Sequence, residues 1–329
     1  MKRILIPGAI LFFTFSGLAS QTVDNQNKPT AEIYSDFHYN LGNPGRTTGF
    51  SLNRAYFGYN YIANENFSAI IKVEIGTPED LADGSTARRY AYYREASINY
   101  TKDKLSVTLG ITGTRLFDYQ QKFWGKRYIA NTYQAINGYG FVADLGMVAD
   151  YKFNNIIEAD FTLMNGEGYS NLQLDNNLKS SLGVTITPVK QLAFRVYGDL
   201  MKQSGIWQTT LIGFAGFSND YFNFGAEISY KTNLDLTGGH DAWGISGTGA
   251  ISLTEKMEFF TRYDYSTSVI AHGDALEWNF KKDGTFFITG FQYTFNKMVK
   301  IALDYQATFP VDASKSISKH IFLNALFKF

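Results

Sequence analysis

The sequence predicts an all-β fold: a transmembrane antiparallel β-barrel of sixteen strands with a long third loop folded into the pore. Three observations carry this. Segments of about ten residues alternate apolar and mixed positions with period two, the signature of strands with two unlike faces. The connections between them alternate between short turns and longer loops. The chain also holds 28 Phe and 22 Tyr among 329 residues, yet past residue 20 no apolar run is long enough for a membrane-spanning helix. A barrel can place that many aromatics on lipid and at its two interfacial girdles.

The N-terminus reads as an export signal. Lys2 and Arg3 precede an apolar run at residues 4–15 and then the small residues Ser16, Gly17, Ala19 and Ser20. That layout is a secretory signal peptide with cleavage near Ala19 or Ser20, and the apolar run is too short to cross a bilayer as a helix. Residues 1–20 are therefore the expected signal and 21–329 a single outer-membrane barrel domain. The chain has no cysteine, which excludes a lipid-anchored cysteine and any disulfide framework. Its formal net charge is zero, so nothing in it suggests a nucleic-acid partner.

The alternating segments run at 31–41, 50–62, 67–75, 89–100, 104–112, 138–153, 156–164, 177–187, 191–200, 206–217, 221–231, 243–253, 257–266, 285–295, 298–307 and 317–329. Each is long enough to cross the hydrocarbon layer at a steep tilt. Short turns follow the even segments, as at Asn64-Glu65-Asn66, Lys102-Asp103 and Asn154-Asn155. Longer loops follow the odd ones, at 42–49, 76–88, 113–137, 165–176, 201–205, 232–242, 267–284 and 308–316. An even number of strands with short turns at one end and long loops at the other is the pattern of an outer-membrane barrel, and lipid tolerates no open sheet edge.

The faces follow from the alternation. In the third segment Phe67, Ala69, Ile71, Val73 and Ile75 oppose Lys72 and Glu74. Ile157, Ala159, Phe161 and Leu163 oppose Glu158, Asp160 and Thr162, and Phe194 and Val196 oppose Arg195 and Asp199. Met257 and Phe259 oppose Glu258, Arg262 and Asp264. A charge on the lipid face costs on the order of 2–4 kcal/mol at mid-bilayer, so the mixed face looks inward and the lumen is wet. The expected lumen wall is Lys72, Glu74, Glu95, Asp144, Asp160, Arg195, Asp199, Glu227, Arg262 and Asp264. Arg94 is an anomaly: strict alternation sets it on the lipid face with Tyr92, Ala96, Ile98 and Tyr100, which marks either a register slip at a bulge or a subunit contact.

Residues 114–137 form the longest stretch without alternation. They carry Arg115, Lys122, Lys126 and Arg127 against the single acid Asp118, interleaved with Phe117, Tyr119, Phe123, Trp124, Tyr128 and Tyr133. Long loops are usually functional or disordered, and disorder is poor in aromatics, so this loop packs against something. The expectation is a basic constriction of Arg115, Asp118, Lys122, Lys126 and Arg127 facing an acidic wall, filtering ions by local charge. The bland alternative is that lumen charges pair among themselves and keep the wall wetted.

The final strand alternates Ile321, Leu323, Ala325, Phe327 and Phe329 to the last residue, which resembles the C-terminal signature of bacterial outer-membrane proteins. Leu109-Gly110, then Arg115-x-Phe117, then Gln121-x-Phe123-Trp124-Gly125-x-Arg127 resemble the third-loop region of phosphate-selective porin O/P-like proteins. Arg54-Ala55-Tyr56-Phe57, Arg94-Glu95-Ala96 and Gly138-Tyr139-Gly140 are similar too. The resemblance implies an outer-membrane, sixteen-stranded, usually trimeric diffusion channel that prefers anions or phosphate. Its partners would be outer-membrane lipid, the hydrophilic solutes or anions in transit and two further copies of the chain. The basic ladder of the phosphate-selective members is missing, because acids such as Asp150, Glu158 and Asp304 interrupt the inward faces.

Two alternatives stand beside it. The loop aromatics Phe117, Tyr119, Trp124 and Tyr128 would suit a stacking track for sugars or oligosaccharides, or would anchor the loop. A barrel hydrolase would need a nucleophile and a base held together, and the four histidines (His38, His240, His272, His320) are scattered without a Gly-x-Ser-x-Gly elbow. No cofactor or metal site is expected from the spacing.

Overall fold

The computed structural model of the chain describes residues 27–42, 47–76, 91–173 and 175–329. The expected signal segment, residues 43–46 of the first loop and most of the second loop lie outside the described residues. Sixteen antiparallel strands close into one barrel. In chain order they are β1 (Lys28–Asn40), β2 (Gly49–Ile62), β3 (Phe67–Ile75), β4 (Ala91–Lys102), β5 (Leu105–Gly113), β6 (Ala143–Lys152), β7 (Ile157–Met164) and β8 (Lys179–Val189). Then follow β9 (Leu192–Gln203), β10 (Ile206–Ser218), β11 (Phe222–Lys231), β12 (Ala242–Ser252), β13 (Met257–Ser268), β14 (Gly284–Thr294), β15 (Val299–Pro310) and β16 (Ser318–Lys328). Every strand pairs with its chain neighbours, and β1 closes on β16 from Glu32 opposite Lys328 to Asn40 opposite His320.

The outward faces are those the alternation predicts. Ile71 is 56 % exposed and Val196 68 %, whereas Glu74 and Arg262 on the opposite faces are 0 and 1 % exposed. No water-filled sandwich would turn its aliphatic residues out and its ions in; a lipid-embedded barrel must.

Two expectations are corrected, and the alternatives left open for Arg94 are decided in favour of the bulge. Residues 138–142 are loop, not strand: Gly138 takes a left-handed φ of 70°, and Tyr139 turns into the packed base of the third loop. The connection after β9 is the two-residue turn Ser204 and Gly205, both at positive φ, so one long-loop position is a tight hairpin. Arg94 faces the lumen. Lys72 pairs with Glu95 and Val73 with Tyr93, so Arg94 is the extra residue of a β-bulge and both Arg94 and Glu95 point inward. Tyr92 lies on the lumen side with it, in ring contact with Tyr169. A second bulge at Asn53 lies between the pairs Tyr34–Arg54 and Ser35–Leu52, and it turns both Asn53 and Arg54 inward.

One consequence tests the orientation of the wall. Ile71→Lys should lower the unfolding free energy in lipid vesicles by about 2–4 kcal/mol. Urea titration followed by tryptophan fluorescence reads it, and an unchanged midpoint would mean that this face does not meet lipid.

Candidate functional site: the third loop and the lumen it divides

Residues 114–142 leave β5, cross the lumen and return to β6. Their first turn of structure is the helix α1 (Asp118–Trp124), with Asp118 in its first turn and Lys122 in its last, each of the sign that the helix dipole favours. Gly125 ends it in the left-handed conformation, its N–H bonded to the Gln121 carbonyl at 3.0 Å. Seven residues make a marginal helix in isolation, so contacts with the wall must hold it.

Those contacts are numerous and specific. The Phe123 ring fills a slot opened by two side-chain-less positions, Gly216 and Gly225, and meets Phe214 edge-on at 5.1 Å. Trp124 packs against Phe260 of β13 at 6.1 Å. Lys126 Nζ lies 2.5 Å from Glu258 Oε1, an ion pair close in distance but off hydrogen-bond alignment. The Tyr128 hydroxyl donates to Gln292 of β14 at 2.8 Å, and its ring lies 6.5 Å from that of Tyr34 on β1. Arg262 donates to the Asn131 carbonyl at 2.5 Å while its other nitrogens hold Asp264. The loop then doubles back through the short helix α2 (Tyr133–Ile136). Gln134 donates there to Glu227 at 2.7 Å and to Ser229 at 3.0 Å, and Lys231 Nζ caps the Tyr139 carbonyl at 2.6 Å.

The base of the loop is clamped as firmly. Arg115 bridges Asp150 at 2.7 Å and Asp118 at 3.1 Å. Arg195 grips Asp160 at 2.6 Å and donates to the Arg115 carbonyl at 3.0 Å. Among the expected constriction residues, Arg115 and Lys126 therefore meet wall acids directly at the seam between loop and wall. Lys122 is exposed and lines a cavity of about 280 Å³ with Asp118, Asp150, Glu158 and Asp160, on the short-turn side of the loop. Arg127 differs from the others. Its guanidinium lies over the Tyr56 ring at 5.7 Å, and its buried Nε and Nη2 have no hydrogen-bond partner among the described residues.

The wall residues are all inward and mostly paired. Lys72 bridges Glu95 at 2.9 Å, Lys179 bridges Asp199 at 2.9 Å, and Asp144 accepts the N–H groups of Gly166 and Leu145. Glu74 pairs with Arg54, not with the loop, and its second oxygen lies 3.8 Å from Arg94 Nε. Arg94 Nη2 donates to the Val142 carbonyl at 3.1 Å, while its Nε and Nη1 are buried without a partner among the described residues. Two guanidiniums thus share one fully buried carboxylate, and Arg127 lies over Tyr56, which pairs with Glu74 across β2 and β3. Alternation conceals the first two, because Arg54 and Arg94 both sit at bulges. The available signal was the phase slip itself: Tyr93 and Ile98 both face out, five residues apart, which unbroken period two forbids.

The loop splits the lumen into unequal halves. Toward β6–β13 its packing is tight, and a chamber of about 360 Å³ at the long-loop end is floored by Leu116 and Tyr197. Toward β14–β16 and β1–β2 a larger chamber of about 530 Å³ is lined by Asp36, His38, Asn53, Arg54, Arg127 and His320, among others. On the short-turn side, the same wall holds a cavity of about 260 Å³ beside Asn60, Ser68, Ser97 and Asn99. Barrel closure brings His38 and His320, 282 positions apart in the chain, to ring centroids 6.4 Å apart. Phe117, Trp124 and Tyr128 are 0, 5 and 3 % exposed, buried as anchors of the loop.

Comparison with known proteins agrees on architecture. The structure of Salmonella typhi OmpF in complex with daunomycin superposes with a TM-score of 0.69 at 10% identity, covering 92% of this chain and 97% of that one. OmpT of Vibrio cholerae superposes at 0.64 with 14% identity over 92% and 97%. The outer-membrane channel DcaP of Acinetobacter baumannii gives 0.63 with 11% identity over the same shares. The fold is that of the outer-membrane porins. No protein-family model and no curated protein sequence matches the chain.

The glycine slot provides a test of the loop's seating. A Cβ at Gly216 would meet the Phe123 ring at 2.5 Å, so Gly216→Leu should unseat α1 at a cost of about 1–3 kcal/mol. Faster trypsin cleavage after Lys122 or Lys126 in the folded barrel is the expected readout, and wild-type resistance would show that the slot does not hold the loop.

Proposed function

We propose that the chain is a passive diffusion channel of a Gram-negative outer membrane for small hydrophilic solutes and ions. In this reading its anion preference is set at Glu74, which Arg54 and Arg94 share, and at Arg127, which lies over Tyr56, the residue paired with Glu74 across β2 and β3. The observation that carries it is a surplus of donors: four guanidinium nitrogens of Arg94 and Arg127 are buried without a partner among the described residues, while Arg54 and Arg94 share the carboxylate of Glu74. An anion passing there can exchange part of its hydration shell for planar, fixed donors, while a cation is repelled by the guanidiniums.

The path follows from the cavities. Solute enters the 530 Å³ chamber at the long-loop end, passes Arg127 and the Arg54–Glu74–Arg94 cluster, and leaves beside Asn60, Ser97 and Asn99. The β6–β13 half is filled by the loop's anchors and takes little part. Arg115 and Lys126, whose charges are met by Asp150 and Glu258, hold the loop rather than select the solute. Bases and acids alternate along the wall, which favours a general anion preference over phosphate alone. An exported precursor cleaved near Ala19 or Ser20 and a homotrimer complete the reading; a trimer form is described for the Vibrio cholerae OmpT structure.

Reversal potential across a planar bilayer under a KCl gradient tests it. Wild type should prefer chloride. Changing Arg115, Lys122, Lys126 and Arg127 together to Ala should reduce that preference, and Arg127→Gln alone should reproduce most of the loss. Lys122→Gln should change it little. Selectivity unmoved by Arg127→Gln would place the filter elsewhere, and absence of conductance would end the channel reading.

A further inference from the structure

The fourth long loop, between β7 and β8, reaches across to the same cluster. Its backbone is tied to the start of β6: Asn165 N–H bonds the Leu145 carbonyl at 3.0 Å and Tyr169 N–H bonds the Ala143 carbonyl at 3.1 Å. Between these ties Gly166 and Gly168 adopt φ of 97° and 84°, conformations that side-chain-bearing residues rarely take, and they aim Tyr169 over the wall of β3 and β4. The Tyr169 hydroxyl donates to Glu74 Oε2 at 3.3 Å, its ring lies 5.2 Å from the Arg94 guanidinium carbon, and it contacts the Tyr92 ring at 5.5 Å.

We propose that Tyr169 is a lid and positioning residue of the anion filter, one that keeps the Arg94 guanidinium turned toward the passing solute. The inference rests on the channel reading given above. Glu74 has two oxygens. Arg54 takes Oε1, and the Tyr169 hydroxyl takes Oε2. Arg94 Nε is left at 3.8 Å from Oε2, beyond hydrogen-bond reach, and Nε and Nη1 stay without a partner among the described residues while Nη2 holds the Val142 carbonyl. Were Oε2 vacant, Arg94 would close on it in a charge-assisted pair, stronger than the neutral hydroxyl bond it replaces. The cation would then be satisfied internally and lost to solute. Burial holds the Tyr169 phenol above its ordinary titration range, so it remains a neutral donor at physiological pH. Its ring meanwhile covers one side of the cluster, so in this inference one residue governs both bore and charge. Nothing in the alternation of the chain points to it, since the contact is made by a loop across two intervening strands.

Two substitutions separate these effects. Tyr169→Phe keeps the ring and removes the donor, so conductance should stay near wild type while the reversal potential shifts toward zero. Tyr169→Ala removes both, so conductance should rise and the reversal potential should again shift toward zero. Mobility of unheated samples in gels confirms that each variant is a folded barrel. Reversal potentials equal to wild type in both variants overturn the inference. If those flat results accompany a wild type whose anion preference falls in Arg127→Gln, the lid alone is lost. If wild type lacks any Arg127-dependent preference, the filter on which the lid depends is lost as well.

Discussion

Backbone hydrogen bonding in a solvent that offers none is the constraint from which this structure follows. A strand facing lipid can satisfy its N–H and C=O groups only through neighbouring strands, so the sheet must continue until it meets itself. Here it does so at the β1–β16 seam, pairing residues near the two ends of the described chain. Once the sheet is closed, each strand has one face in lipid and one in the lumen, and ionisable residues have only one side to occupy. The crowd of ions inside, and the bare Ile, Val and Phe outside, are consequences of closure.

Inside, a second constraint acts. Charges gathered in a narrow, partly dry space are costly unless partnered, and removing one member of a buried pair is far worse than never having had it. The loop and wall answer this by pairing across their seam, Arg115 with Asp150, Lys126 with Glu258 and Gln134 with Glu227. These contacts, with the Phe123 slot and the Trp124–Phe260 contact, fix a segment whose own helices are too short to stand alone. Only after such pairing does the exception acquire meaning. Among the described residues, Arg94 and Arg127 each keep two buried guanidinium nitrogens without a partner.

The strands were legible because their physics is local. Period-two alternation needs no partner to be seen, and it placed sixteen segments and the orientation of Lys72, Glu74, Asp160 and Arg262 correctly. The Ser204–Gly205 turn was misjudged because a strand can run on past its apolar pattern once its wall emerges from the bilayer. What was hidden was phase. A bulge adds one residue and inverts every face beyond it, so Arg94 read as an anomaly open to a bulge or a subunit contact, and Arg54 went unremarked as a lumen residue. The basic loop was visible, but not that Arg115 and Lys126 would be met by wall acids at close range. Those pairings are relations between residues up to about a hundred and thirty positions apart, and no spacing along the chain encodes them.

The seam also bears on how the protein is made. The larger chamber takes Asp36 and His38 from the first strand and Ser318, His320 and Asn324 from the last. Its walls therefore do not exist in any partly synthesised chain, nor in an inserted sheet still awaiting its final strand. The loop anchors lie on β10 to β13, whereas the larger chamber is completed only where β1 meets β16, at the closure that removes the last exposed edge. An unfinished barrel is thus an incomplete sheet in which that chamber still lacks a side.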